Sequence, residues 1–163
     1  WWILRYAGVE NLRVLNGGLA AWKTAGGALE AGERTYPPTS FKPQFKPEMF
    51  ASLEEVKAAL AMADVRVENS LTQEWHDREH IPGSTCLPLT TLSIGWDAFL
   101  PEEERNNRLK AAGQHRRIIT YCGGGIAATL NAMAHVMSGH ENVAVYDGSL
   151  YEWMGEGMPV EGS

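Results

Sequence analysis

Short apolar runs alternate along the chain with longer segments in which apolar residues recur at helical spacing. The short runs are typical of buried strands, and the longer segments are typical of amphipathic helices. The predicted strands are residues 12–15, 64–68, 117–121 and 143–146. The predicted helices begin near Ser52 and cover residues 71–77, 101–112 and 127–137. Strands that alternate with helices predict an α/β fold, with a central parallel sheet flanked by helices on both faces.

Cys122 lies at the junction of a predicted strand and a predicted helix. The strand ends at the cysteine, three glycines follow it (123–125), and helix-forming residues continue from Ala127. Backbone N–H groups at a helix N-terminus stabilise negative charge, and ligands of parallel sheets bind beyond the carboxyl ends of the strands. This order of elements predicts a nucleophilic cysteine in a loop that binds anions.

The second interpretation of Cys122 is a buried structural thiol, which is the commonest state of a free cysteine. The glycine loop and the position between strand and helix favour the nucleophile. Cys86, next to Leu87 and Pro88, is interpreted as a core thiol. Two cysteines make no disulfide framework, so both thiols are expected to be reduced, as in a cytoplasmic protein. The histidines have no metal-ligand spacing, and we expect neither a metal nor a cofactor.

The chain contains an internal repeat, in which residues 8–22 and 139–153 match in a single register. In each copy a glycine, Gly8 or Gly139, is expected to end a helix with a positive φ, and a short strand, a turn and a helical turn follow. The second copy completes a domain that covers residues 49–163. The first copy is interpreted as the end of an earlier domain, residues 1–32, whose beginning the sequence lacks; the chain starts with Trp1 rather than Met.

Four prolines fall between residues 33 and 48, which predicts a stiff, extended linker between the two domains. The net charge of the chain is −6, so local donors rather than the overall field have to hold an anionic substrate. No basic patch with interleaved aromatic residues predicts nucleic-acid binding. No run of 18 apolar residues predicts a membrane span.

Three motifs occur in a fixed order: residues 80–84 (His-Ile-Pro-Gly-Ser), residues 121–128 around the cysteine, and residues 147–150 followed by Trp153. Together they resemble the rhodanese (sulfurtransferase) family over residues 49–163. Residues 1–32 resemble the end of a preceding rhodanese domain. The whole chain resembles a tandem-domain thiosulfate or 3-mercaptopyruvate sulfurtransferase from which most of the N-terminal domain is missing.

The resemblance implies a rhodanese-like fold and a two-step sulfur transfer. The Cys122 thiolate attacks the outer sulfur of a small anionic donor and becomes a persulfide, and a thiol or cyanide acceptor then removes that sulfur. The backbone N–H groups of the loop stabilise the anion in both steps. The residues of this anion-binding loop are Gly123, Gly124, Gly125, Ile126, Ala127 and Ala128.

A non-catalytic rhodanese-like module, which binds an anion or a partner protein, is the alternative function. The loop favours it because residues 123–128 contain neither a cation nor a hydroxyl group. A phosphatase loop of the related Cys-x5-Arg type would place arginine at Ala128, and without that arginine phosphoryl transfer is disfavoured.

Overall fold

The computed structural model describes residues 1–95 and 97–163. Its α-helices are α1 (Trp2–Tyr6), α2 (Gly18–Thr24), α3 (Leu53–Ala59), α4 (Gln73–Arg78), α5 (Glu102–Leu109), α6 (Ile126–Met137) and α7 (Ser149–Gly155). Its strands are β1 (Val65–Asn69), β2 (Thr85–Cys86), β3 (Ser93–Ile94), β4 (Ala98–Phe99), β5 (Arg117–Tyr121) and β6 (Val143–Val145). Short 3-10 helices cover Pro47–Met49, Leu89–Thr91 and Ala112–Gln114.

Four parallel strands form the central sheet, in the order β2-β1-β5-β6. The strands β3 and β4 form a separate antiparallel pair. β5 has a hydrogen-bonded neighbour on each side, and its residues 118–121 are buried, as is typical of a strand inside a parallel sheet that is covered on both faces. The structure confirms the predicted α/β fold with a central parallel sheet.

Helices cover both faces of this sheet. Ile119 of β5 packs in one apolar cluster with Val56 of α3 and Trp153 of α7. Ile118, the neighbouring residue, points to the other face and packs in a second cluster with Ala132 of α6. Successive side chains of a strand point in opposite directions, so β5 contributes to both clusters. The prediction of helices on both faces is confirmed.

The helix starts follow from local side chains. Ser52 precedes α3, and its Oγ accepts a hydrogen bond from the backbone N–H of Glu55 at 3.2 Å. Thr72 caps α4 in the same way, which moves the start of that helix beyond the predicted residue 71. The longest helix is α6, with 12 residues. Among the described residues, no helix has the length and apolar character that crossing a bilayer requires.

The predicted strand at residues 12–15 is wrong. These residues pair with no strand of the described chain, and Val14 and Leu15 remain 53% and 54% exposed. A β-branched or aliphatic run becomes a strand only where a neighbouring strand accepts its backbone hydrogen bonds. Residues 12–15 pair with no strand of the described chain, whereas the equivalent residues of the second copy pair with β5.

Residues 27–46 contain no helix or strand. Backbone hydrogen bonds from Gln44 to Ala7 and from Lys46 to Tyr6 hold the end of this stretch against the first helix, at 3.0 and 2.8 Å. The division of the chain into residues 1–32, 33–48 and 49–163 stays a prediction.

Candidate active site

Cys122 is the first residue after β5, at the carboxyl edge of the central sheet. Its side chain is 3% exposed and packs in the apolar cluster that contains Ala128 and Ala132 of α6. Its sulfur makes no hydrogen bond with the described residues. The structure therefore places the thiol in an apolar cluster together with residues of α6.

The loop after Cys122 leaves backbone donors without acceptors. Gly123, Gly124 and Gly125 connect β5 to α6, which begins at Ile126. Within the described chain, no backbone or side-chain acceptor pairs with the N–H groups of residues 123–128. The first turn of any helix has such unpaired donors, and the helix dipole adds positive potential there. The arrangement of strand, cysteine, glycines and helix is as predicted, and the anion-binding role of the loop stays a prediction.

Gly125 has to be glycine for two reasons. Its φ is +82°, in the left-handed region that residues with a Cβ rarely adopt. A Cβ at this position would also lie 2.6 Å from the backbone oxygen of Asp147 and 2.8 Å from its carboxylate Oδ1. The close approach places a negative charge next to the loop, which opposes the binding of anions there.

The start of α7 holds the backbone on both sides of the cysteine. The N–H of Cys122 donates to Ser149 Oγ at 3.1 Å, and that hydroxyl donates to the backbone oxygen of Tyr146 at 2.8 Å. The N–H groups of Leu150 and Tyr151 donate to the backbone oxygens of Cys122 and Gly123, at 3.1 and 3.0 Å. These four bonds fix the position of the candidate nucleophile relative to α7.

Sequence reasoning missed the role of Ser149. The residue is fully buried and is the one non-glycine residue with positive φ (+52°) in the described chain. Such a conformation in a residue with a Cβ costs free energy, and it persists where the surroundings enforce it. The signal was in the repeat, because Ser149 matches Gly18, a residue type that favours left-handed backbone.

The ring of Tyr151 covers the glycine loop. A Cβ built on Gly124 would lie 3.1 Å from the ring, and one on Gly123 would lie 3.5 Å from it. The ring itself is 76% exposed. Tyr151 therefore forms the outer side of the loop, a position that the motif in residues 147–150 does not reveal.

Ser70 lies beside Cys122 at the same edge of the sheet. Asn69 pairs with Tyr121, and the N–H of Ser70 donates to the oxygen of Tyr121 at 2.8 Å, so the next residue of each strand is a neighbour of the other. Ser70 is 2% exposed, and its hydroxyl has no hydrogen-bond partner in the described chain. A buried hydroxyl without a partner is unfavourable. The sequence signal was a polar residue directly after a predicted strand.

A buried ionic cluster joins β1 to α6 on this face of the sheet. The carboxylate of Glu68, fully buried, lies 3.0 Å from His135 Nε2 and accepts a hydrogen bond from Arg66 Nε at 2.9 Å. Burial opposes the charge on Glu68, but the hydrogen bonds and charges of His135 and Arg66 outweigh it and hold its pKa below the ordinary value. His135 Nδ1 in turn lies 2.9 Å from His140 Nδ1. Sequence reasoning missed this cluster, since the residues are far apart in the chain.

Cys86 differs from Cys122 in its surroundings. It lies at the end of β2, half-buried, and its sulfur donates to the backbone oxygen of Leu71 at 3.7 Å. Burial, with the negative charges of Asp77 and Glu68, raises the pKa of the Cys86 thiol to about 11. The thiol thus stays protonated at neutral pH, which supports its interpretation as structural. Both cysteines are free.

Within residues 1–95 and 97–163, no group of three or more His, Cys, Asp and Glu side chains is arranged to hold a metal ion. His76 and His80 stack at 3.9 Å between ring centroids, and His80 Nδ1 lies 2.7 Å from the backbone oxygen of His76. The two rings therefore organise the turn that follows α4.

Curated relatives share sequence along almost the whole chain. A probable 3-mercaptopyruvate sulfurtransferase of Pseudomonas aeruginosa is 33% identical over 168 residues, which cover 94% of this chain and 59% of that protein. A 3-mercaptopyruvate sulfurtransferase of Escherichia coli is 30% identical and covers 99% of this chain, or 62% of its own length. The chain spans about three fifths of the length of these relatives.

Solved structures show the same fold. The wild-type structure of EanB superposes with a TM-score of 0.88 at 23% identity, over 99% of this chain and 43% of that one. A structure of an EanB variant with a cysteine persulfide and ergothioneine has a TM-score of 0.87 at 23% identity, over 99% of this chain and 44% of that one. At this identity the likeness concerns the fold alone.

The family follows from the sequence itself. Residues 48–156, well over half of the chain, match the family model described as the rhodanese-like domain. The matched stretch includes the whole central sheet, Cys122 with its glycine loop, and α7. The chain therefore belongs to the rhodanese-like domain family.

Proposed function

We propose that the protein is a sulfurtransferase in which Cys122 carries the transferred sulfur as a persulfide. The observation that supports this most directly is the position of Cys122 between β5 and the loop 123–128, whose N–H groups have no acceptor in the described chain. Relatives at 33% and 30% identity are named 3-mercaptopyruvate sulfurtransferases, and a relative from Arabidopsis thaliana at 28% identity is named for both thiosulfate and 3-mercaptopyruvate.

The first step forms a sulfur–sulfur bond. The Cys122 thiolate attacks the outer sulfur of the donor, and the bond between that sulfur and the rest of the donor breaks. Thiosulfate leaves as sulfite; 3-mercaptopyruvate loses its sulfur from carbon and, after taking up a proton, leaves as pyruvate. The backbone N–H groups of the loop stabilise the negative charge on sulfur in the transition state.

The second step returns the enzyme to its starting state. A thiol or cyanide attacks the outer sulfur of the persulfide, the sulfur–sulfur bond breaks, and Cys122 leaves as the thiolate. The hydrogen bonds from Leu150 and Tyr151 to the backbone around Cys122 keep the sulfur in one place through both steps. Ser70, whose buried hydroxyl has no partner in the described chain, is positioned to add one more donor.

The charges near the loop favour the donor with the smaller charge. Residues 123–128 contain no cation, and the carboxylate of Asp147 approaches Gly125. A dianion such as thiosulfate meets more repulsion there than the monoanionic carboxylate of 3-mercaptopyruvate. We therefore propose 3-mercaptopyruvate as the preferred donor, and steady-state assays with both donors measure this preference as a ratio of kcat/KM.

Mass spectrometry of the intact protein tests the persulfide. After incubation with either donor, the wild-type protein and the Cys86→Ser variant should gain about 32 Da, the mass of one sulfur, while Cys122→Ser should gain none. Cys86→Ser is the matched control, because it removes the other free thiol and leaves the loop intact. Absence of the adduct from folded wild-type protein with both donors would overturn the proposal.

The non-catalytic module is the second candidate, and the 3% exposure of Cys122 favours it. In that case the Cys122 thiol of the folded Cys86→Ser variant reacts with iodoacetamide no faster than the same thiol does after partial unfolding. Neither donor is then turned over. A fast, specific alkylation of Cys122 in the native protein would instead show that small molecules reach the sulfur.

A further inference from the structure

A cavity of about 540 Å³ lies apart from the cysteine loop, between the first repeat copy and the side of α6. Its walls come from α1, residues 12–16, the β3–β4 pair, α5 and the C-terminal half of α6. Neither Cys122 nor any residue of the loop 123–128 lines it. A volume of this size is ordinary for a small-molecule site.

The arginines of the protein divide into two groups at this cavity. In the described chain, Arg5, Arg13 and Arg105 are the arginines without a carboxylate within ion-pair distance, and all three line the cavity. The arginines that pair with a carboxylate are Arg34, Arg66, Arg78, Arg108, Arg116 and Arg117. In a chain with a net charge of −6, three uncompensated guanidinium groups around one cavity point to an anionic ligand.

The burial of Arg105 is the strongest evidence for an anionic ligand. It is 5% exposed, and its hydrogen bonds go to Ser138 Oγ at 3.4 Å and to the backbone oxygen of Leu100 at 3.3 Å. Both are long, and a guanidinium group has five N–H donors. A buried charge without a counter-charge is costly, so the group is suited to an anion that enters from the cavity.

Most of the other wall residues are apolar, apart from the polar Asn16 and Ser93 and the acidic Asp97. Met133, Val136 and Met137 of α6 face the cavity, with Phe99 of β4 on another side. Methionine side chains adapt their shape to an apolar guest. Among the described residues that line the cavity, Asp97 is the one acidic residue, and it is exposed to solvent. Three arginines therefore face one carboxylate.

We propose that this cavity binds an organic anion that has an apolar body, such as an aryl or alkyl carboxylate. The carboxylate binds to the guanidinium groups, with Arg105 as the buried contact, since arginine matches a carboxylate with two parallel N–H donors. The apolar body packs on the methionines of α6. This site is independent of the sulfur-transfer proposal, because it shares no residue with the cysteine loop.

Isothermal titration calorimetry with phenylbutyrate tests the site, and phenylbutyramide, its uncharged amide, is the matched ligand control. Both have the same apolar body, so the difference in affinity reports the arginines. Phenylbutyrate should bind with one-to-one stoichiometry and at least about tenfold more tightly than the amide. Equal affinity for the two compounds, or no binding of phenylbutyrate, would overturn the proposal.

Two variants locate the binding. Arg105→Met removes the buried charge. It should lower the affinity for phenylbutyrate at least about tenfold and leave the affinity for phenylbutyramide unchanged. Arg13→Glu, at an exposed position, should weaken the binding of phenylbutyrate by a comparable factor. Arg34→Glu makes the same charge change outside the cavity and should leave affinity within about twofold. If Arg13→Glu and Arg34→Glu weaken binding equally, the anion responds to overall charge and the site is wrong.

Discussion

The two copies of the repeat share a left-handed backbone at matched positions but have opposite surroundings. Gly8 and Gly139 have φ of +92° and +91°, and Gly18 and Ser149 have φ of +55° and +52°. Yet Trp22 is 43% exposed, whereas Trp153, its match, is 2% exposed. The matched turn glycines differ, with φ of +86° at Gly17 and −59° at Gly148. The repeat therefore encodes the shared left-handed positions, while the turn, strand formation and burial depend on the neighbours that each copy finds.

The neighbours of the second copy are β5 and the cysteine loop. Residues 143–145 pair with β5, and Ser149, Leu150 and Tyr151 bind the backbone around Cys122. The first copy has Gly18 where the second has Ser149, and residues 12–15 pair with no strand in the described chain. Two segments with matching sequence thus differ in whether they support a candidate active site.

Replacement of each matched tryptophan by alanine should give the largest difference in stability between the copies. Each indole N–H donates to a backbone oxygen six residues later, Trp22 to Ala28 at 3.0 Å and Trp153 to Pro159 at 2.7 Å. The hydrogen bond is therefore the same, and only burial differs. Trp153→Ala should lower the free energy of unfolding by about 3–5 kcal/mol, because it leaves a cavity in the core.

Trp22→Ala is the control, and its cost should stay below about 1 kcal/mol, since the side chain is largely in solvent. Urea unfolding of both variants, followed by circular dichroism, measures the two values. Equal losses would mean that the first copy is as well packed in solution as the second, against the exposures described above.

Ser149→Gly should have the next largest effect. Glycine keeps the positive φ but removes the hydroxyl, so the buried N–H of Cys122 loses its acceptor at a cost of about 1–3 kcal/mol. The same change should slow persulfide formation about tenfold, because a small displacement of a nucleophile has a large effect on rate. Rapid-quench mass spectrometry with excess donor follows the persulfide directly.

The reverse exchange, Gly18→Ser, is the control for this prediction. Its position is open, with no atom within 4 Å of a built Cβ, so it should change stability only by the strain of the left-handed backbone, about 1 kcal/mol, and leave the rate of persulfide formation unchanged. A rate that falls equally in both variants would show that Ser149 acts through general stability and not through Cys122.

Local patterns in the sequence account for much of the fold. The boundaries of β5, the cap at Ser52 and the positive φ of Gly139 all follow from residues within one turn or strand. The loop 123–128 was also predicted, since its order of strand, glycines and helix is local. These features need no knowledge of which elements become neighbours.

The remaining features depend on contacts between distant residues. His135 pairs with Glu68, 67 residues earlier, and neither residue shows by its type that a buried partner exists. Ser70 becomes a neighbour of Cys122 only through the pairing of β1 with β5. Residues 12–15 have the composition of a strand, but they pair with no strand in the described chain and stay irregular.

Acid should destabilise the second copy through His140, the smallest of the three effects. His140 matches Val9 of the first copy. Burial and the nearby charge of His135 lower the pKa of His140, although the charge of Glu68 opposes this. A histidine with a lowered pKa in the folded state stabilises the protein above its unfolded pKa, and this stability is lost as the pH falls, because the unfolded chain takes up the proton first.

The unfolding free energy should therefore decrease from about pH 7 to about pH 5.5, with His76, whose pKa burial also lowers, contributing in the same direction. Below about pH 4.5 Glu68 adds a further loss, since its pKa is held below the ordinary value.

His140→Val should reduce the slope of the unfolding free energy against pH, near pH 6, by at most the equivalent of about one proton. Urea unfolding midpoints at several pH values across that range measure this slope. Val9→His is the reciprocal control, and because residue 9 lies outside the buried ionic cluster, it should leave the slope nearly unchanged. A slope that His140→Val does not reduce would mean that the proton uptake belongs to His76 alone, and that the ionic cluster tolerates protonation of its outer histidine.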